Sequence, residues 1–209
     1  MDVMEQIAKI KVVPVVKLDR VEDTEPLLNA MEKGGIPVAE ITFRTACAAE
    51  CIALASKKFP GVLVGAGTVI NAEQADKAVK AGAKFIVGPG WSDSVAEYCI
   101  KAGVPYLPGC VTPSEIIKAL DYGISTVKFF PASVYGGLKA LKALAAPFVS
   151  VKFVPTGGVS ADNLAEFLAF DKIVACGGSW MVADKLVKEG KFDEIERLCR
   201  EARQIADKA

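Results

Sequence analysis

No histidine occurs anywhere in the 209-residue sequence. That absence excludes Ser–His and Cys–His nucleophile systems and histidine-ligated zinc or iron, so acid–base work falls to carboxylates, lysines, tyrosines or water. Long apolar runs are missing too. Nothing approaches the roughly 20 residues of a transmembrane helix, and the start, MDVMEQIAKIK, lacks the apolar core of a signal peptide. A cytoplasmic protein is the expectation. No GxGxxG follows an early strand and no P-loop is present. The cysteines at 47, 51, 99, 110, 176 and 199 form no CxxC pair, which favours reduced structural thiols over a metal site or redox motif. Lysine plus arginine balance aspartate plus glutamate at 25 each, so neither nucleic acid nor an anionic membrane is an implied partner.

What is present is a regular alternation. With 52% hydrophobic residues the chain suits one well-cored domain over residues 1–209. Val3, Met4, Ile7 and Ile10 form one helical stripe. Short apolar runs then recur near 12–16, 36–43, 62–66, 84–88, 104–107, 124–130, 151–155 and 172–176, each followed by polar or glycine-containing punctuation and an amphipathic segment. Asn71 with Gln74, and Thr112 with Pro113 and Glu115, carry helix-start chemistry. Ile195, Leu198, Cys199, Ala202 and Ile205 mark a closing helix. About eight βα units in a chain of this length predict a (β/α)8 TIM barrel with an N-terminal helix; an open doubly wound sheet is the alternative.

In such a barrel chemistry sits at the C-terminal ends of the strands, on side chains that face inward. Lys128, in Ser125-Thr126-Val127-Lys128-Phe129-Phe130-Pro131, meets both conditions. Strand alternation gives it a face with Phe130, opposite Val127 and Phe129. Lysine rarely enters a protein interior without a partner or a task. Desolvation favours the neutral amine, the nucleophile that Schiff-base chemistry with a carbonyl requires. Lys84 and Lys152 lie at strand starts and should reach solvent at the opposite end, and Asp19 and Arg20 suggest an exposed loop around Lys17.

In Val38-Ala39-Glu40-Ile41-Thr42-Phe43-Arg44 the same alternation points Glu40, Thr42 and Arg44 inward together. An internal Glu–Arg salt bridge is the purely structural alternative. Thr156-Gly157-Gly158 and Gly177-Gly178-Ser179 end two consecutive late strands, the usual phosphate position in these barrels. Thr68, after Gly65-Ala66-Gly67, places a hydroxyl at the mouth that could hold a substrate carboxylate beside Arg44. Gly88-Pro89-Gly90 reads mainly as a tight turn.

As an ordered set, EITFRT, VGAGTV, GPG, YLPG, VKFFPA, PTGG and GGSW resemble the bacterial 2-keto-3-deoxy-6-phosphogluconate (KDPG) aldolases, which often also act on 4-hydroxy-2-oxoglutarate (KHG). The resemblance covers nearly the whole chain. It implies a metal-independent class I aldolase without cofactor, of the Entner–Doudoroff type, usually a homotrimer. Lys128 would form the Schiff base and Glu40 would be the general acid/base. Arg44 and Thr68 would hold the pyruvate carboxylate, Pro89 and Phe130 would line the pocket, and Thr156, Gly157, Gly158, Gly178 and Ser179 would lie on the phosphate side. Many relatives carry an acidic residue after KFFPA, where this chain has Ser133-Val134-Tyr135. The related phosphogalactonate aldolases typically lack the arginine of EITFRT, so Arg44 favours the gluconate type. Two other readings stay open: a phosphosugar epimerase or isomerase in which Lys128 is a base without covalent chemistry, and a catalytically silent barrel serving as a scaffold.

Overall fold

Eight strands and ten α-helices succeed one another along the chain in a computed structural model that describes residues 2–209. Helix α1 (Val3–Ile10) opens it, held by a capping box in which the Asp2 side chain accepts from Glu5 N–H and Glu5 answers to Asp2 N–H. The repeating units follow as β1 (Val12–Val16), α2 (Thr24–Lys33), β2 (Val38–Thr42), α3 (Ala48–Lys58), β3 (Leu63–Gly67), α4 (Ala72–Lys80), β4 (Ile86–Val87) and α5 (Asp93–Ala102). They continue as β5 (Tyr106–Leu107), α6 (Pro113–Asp121), β6 (Thr126–Phe129), α7 (Gly137–Ala145), β7 (Lys152–Pro155), α8 (Leu164–Leu168), β8 (Cys176–Gly178), α9 (Asp184–Lys188) and α10 (Phe192–Lys208).

All strand pairs are parallel. Regular ladders give a six-stranded sheet ordered β5-β4-β3-β2-β1-β8 and a two-stranded sheet β6-β7. Hydrogen bonds link the two. Lys128 N–H donates to Pro108 O and Cys110 N–H to Lys128 O, both at 2.8 Å, tying the end of β5 to β6. Phe153 N–H donates to Lys172 O at 2.8 Å and Val174 N–H to Phe153 O at 3.1 Å, tying β7 to the approach to β8.

Several boundaries differ from the sequence pattern, for local reasons. Strands β4 and β5 keep only two residues of their runs, and Pro105 and Pro108, which have no N–H to give a ladder, bracket β5. The last strand, expected at 172–176, is divided: Ile173 bridges to Phe153 early, and Cys176–Gly178 pairs with β1 later. Strand β2 stops at Thr42 and β6 at Phe129, so Arg44 and Phe130 lie in the turns beyond.

Both faces of the strands are covered, as in parallel sheets flanked by helices. Ala39, Ile41, Val127 and Phe129, which alternate with Glu40 and Lys128, are buried in the main hydrophobic cluster. Helix α6 carries the full predicted start: Thr112 caps Glu115 N–H, Glu115 bonds back to Thr112 N–H, and Pro113 is the first helical residue. At α4, Asn71 caps Gln74 N–H, but Gln74 reaches Ile70 N–H instead of the cap's own. The closing helix α10 buries Ile195, Cys199, Ala202 and Ala206 and carries i,i+4 ion pairs on its wet side. No helix among the described residues is long and apolar enough to cross a membrane.

Candidate active site

At the centre is a buried ion pair. Lys128 on β6 is 6% exposed and Glu40 on β2 is 3% exposed, and Lys128 Nζ donates to Glu40 Oε1 at 3.3 Å. Their strands are far apart in sequence and meet across the interior that alternation assigned to both. Such a pair is an inefficient way to stabilise a fold, because desolvation costs several kcal/mol per ion and attraction often fails to recover it. Glu40 pairs with Gly65 in the β2–β3 register, yet its side chain leans along the strand and lies over Gly67. A Cβ on Gly67 would stand 2.1 Å from Glu40 Oε1, so glycine is required there by the carboxylate's position.

Above the pair the strand ends open into a cleft of about 160 Å³. Arg44, Phe130, Thr156, Gly157, Gly158, Gly178 and Ser179 line it, bringing the expected arginine and both glycine loops together. Phe130 connects cleft and pair: its ring centroid lies 5.2 Å from Lys128 Nζ. Gly157 and Gly158 have φ of 92° and 83°, a left-handed turn that suits glycine. That turn is held by Asn163 Nδ2, which donates to Gly158 O at 2.9 Å. The Thr156 hydroxyl packs against Gly177, where a Cβ would come within 2.2 Å of Oγ1. Val15 and Val159 complete the lining; apolar residues in an apolar run carry no signal that separates them from core.

Three expectations need adjustment. Arg44 does not share the buried face of Glu40 and Thr42: it lies past the end of β2 and is exposed, with Nε donating to Thr42 Oγ1 at 3.1 Å. No internal Glu–Arg bridge forms, and among the described residues no acid pairs with Arg44. Thr68 follows β3 but does not line the cleft or bond to Arg44. Its φ of 58° is left-handed, which is strained for a β-branched residue; strain of this kind clusters at functional sites. Pro89 is exposed just after β4, outside the cleft lining, and its carbonyl packs on Gly109, the residue that bridges to Lys128.

The other lysines are accounted for elsewhere. Lys17 binds Asp19 at 2.7 Å and Asp184 at 3.5 Å, Lys84 is exposed, and Lys152 donates to the Asp171 carbonyl at 2.9 Å. Hydrogen bonds from Lys17 and then Lys188 hold the Asp19 carboxyl below its usual range, and Lys188 does the same to Asp184. Asp184 and Asp19 in turn push the Lys188 ammonium up. Tyr106 anchors the turn carrying Pro89 by donating to Gly90 O at 3.1 Å, and burial pushes its phenol up. Among the described residues no cluster of three or more His, Cys, Asp or Glu side chains is arranged to hold a metal ion.

Comparison with known proteins places nearly the whole chain in one family. The family model for KDPG and KHG aldolase matches residues 3–198. The chain is 47% identical over 203 residues to the 2-dehydro-3-deoxy-phosphogluconate aldolase of Treponema pallidum, covering 97% of each. It is 41% identical over 191 residues to the KHG/KDPG aldolase of Escherichia coli K12, covering 91% of this chain and 90% of that one. Among solved structures it is similar to KDPG aldolase from Legionella pneumophila with pyruvate captured as a covalent carbinolamine intermediate. That match has a TM-score of 0.92 at 37% identity and covers 95% of this chain and 97% of the other. The parallel α/β fold is therefore that of a lyase of the aldolase class. Within that class, the chain belongs to the KDPG and KHG aldolase family.

Proposed function

We propose that this protein is a class I aldolase that cleaves KDPG to pyruvate and glyceraldehyde 3-phosphate, and KHG to pyruvate and glyoxylate. The observation that carries the reading is the 3.3 Å contact between Lys128 Nζ and Glu40 Oε1, buried beside a cleft that joins an arginine paired with no acid among the described residues to two glycine loops. Lys128 gives its ammonium proton to Glu40 across their contact, and the neutral amine attacks the C2 ketone to give a carbinolamine, its excess proton moving to the new alkoxide. Glu40 passes a proton to the departing hydroxyl, and loss of water leaves an iminium. Glu40, now a carboxylate, takes the proton of the C4 hydroxyl as the C3–C4 bond breaks. The bond's electron pair moves into the iminium, and the aldehyde leaves. Protonation of the enamine at C3 and addition of water at C2 release pyruvate and restore the amine.

Arg44 and Thr68 hold the C1 carboxylate, Pro89 and Phe130 enclose the carbonyl end, and Thr156, Gly157, Gly158, Gly178 and Ser179 receive the phosphate. Arginine suits a carboxylate because its planar fork donates two parallel hydrogen bonds. The iminium is itself the electron sink, so the reaction proceeds without a metal ion or organic cofactor. A closed eight-stranded (β/α)8 barrel in one domain supports this arrangement, favoured by the hydrogen bonds that link β5 to β6 and β7 to the approach to β8. The proposed setting is a cytoplasmic homotrimer, as is usual in this family.

Cleavage assays on both keto acids, with Lys128→Met as control, test the reading. The wild-type protein should release pyruvate and the variant should lose at least about 10³-fold in kcat; equal release by the two would end the Schiff-base assignment. Treatment with a chelator should leave the rate unchanged, and loss of activity restored by a divalent ion would contradict the metal-free mechanism.

A further inference from the structure

Thr42 has no role in the proposed reaction, yet it is the residue on which Arg44 depends. Its side chain is 1% exposed, and its hydroxyl makes two hydrogen bonds of opposite sense. It donates to Val16 O at 2.8 Å and accepts from Arg44 Nε at 3.1 Å. The first bond fixes the hydroxyl's proton on the end of β1, so its lone pairs are aimed back toward Arg44. The second takes the one guanidinium N–H that does not belong to the terminal fork.

Arg44 needs such a hold. It lies beyond the end of β2, is exposed, and is paired with no acid among the described residues, so its long side chain has solvent as its alternative. Freezing an arginine gives up the rotamer entropy of a long side chain. A bond at Nε restricts the chain and the guanidinium plane while leaving both terminal amino groups to a ligand. The same hydroxyl joins Arg44 to β1, whose Val15 also lines the cleft.

We propose that Thr42 is a positioning residue that orients the Arg44 fork for the C1 carboxylate of the keto acid. The inference rests on the carboxylate role given to Arg44 above. Because both KDPG and KHG carry that carboxylate, the effect of losing the hydroxyl must be the same on both.

The test is steady-state kinetics of the full chain with both keto acids for Thr42→Val, Thr42→Ser and Arg44→Lys. Thr42→Val should raise KM about 10-fold or more for both substrates, as expected for a hydrogen bond to a charged group. Its kcat should stay within about two-fold, the signature of lost uniform binding. Thr42→Ser, which keeps the hydroxyl, should restore KM. In the Arg44→Lys background, where no Nε–H remains, Thr42→Val should add less than about two-fold. Should Thr42→Val fail to fold, Thr42→Ala carries the same expectation without added bulk. An unchanged KM, an effect on KDPG alone, or full additivity with Arg44→Lys would overturn the inference. If the wild-type protein cleaves neither keto acid, the failure belongs to the proposed function instead.

Discussion

Replacing Gly67 by alanine should disable Glu40 without touching it. Gly67 is the last residue of β3 and its φ is not left-handed, so alanine brings no backbone strain. Its new methyl, however, would lie 2.1 Å from Glu40 Oε1, 2.6 Å from Cγ and 2.7 Å from Cδ, where ordinary contacts begin at 3.4 Å. The carboxylate must retreat by about 1 Å or more, and the strands cannot part because Thr42 and Gly67 are ladder partners. A misplacement of about 1 Å in a reacting group costs up to about 10²-fold in rate. Overpacking should also lower stability by roughly 1–3 kcal/mol. The assay is coupled detection of pyruvate, with a thermal melt alongside. In the double variant Gly67→Ala/Glu40→Ala the clashing side-chain atoms are gone, so Gly67→Ala should cost less stability in the Glu40→Ala background than in wild type. A folded Gly67→Ala protein with kcat within about two-fold of wild type would refute the reasoning, because Glu40 would then not need the position it occupies.

Two further outcomes follow from charge and burial. Asp19 and Asp184 are held below their usual carboxylate range, so their contribution to stability is present above about pH 4 and is lost as pH falls through their lowered values. Urea unfolding of wild type and Asp184→Asn should therefore separate above about pH 4 and draw together as pH falls below it; a constant gap would contradict the assignment. Burial holds the thiols of Cys99, Cys110 and Cys199 at about 12 and Cys51 at about 11, and pushes Cys176 up as well. Iodoacetamide on the native protein should label only the half-buried Cys47, whereas all six react after unfolding; a native adduct on Cys176 would refute this.

Which residues reach the site was legible from period-two alternation, because a buried strand fixes the face of each side chain. Alternation assigns Lys128 and Glu40 to the interior, and position early in a run separates Lys84 and Lys152 from them. Where each strand stops was less legible. Arg44 and Phe130 continue the alternation on paper, but the ladder ends before them, and Arg44 lies in the turn at the cleft, off the buried face of Glu40. The seat of Glu40 on Gly67, the left-handed backbone at Thr68 and the two hydrogen bonds of the Thr42 hydroxyl have no local signature at all. Each arises from contacts between strands, and a glycine in VGAGTV reads as a turn residue until its neighbour is seen. Val15 and Val159 escaped for the opposite reason, being indistinguishable in sequence from the core around them.

The central claim is that Lys128 becomes covalently bonded to substrate. Incubating the protein with pyruvate and borohydride, followed by peptide mass analysis, tests it most directly. The account predicts one reduced pyruvyl adduct, on the peptide carrying Lys128, with Lys17, Lys84 and Lys152 unmodified. No adduct, or an adduct that persists on another lysine in Lys128→Met, would contradict it.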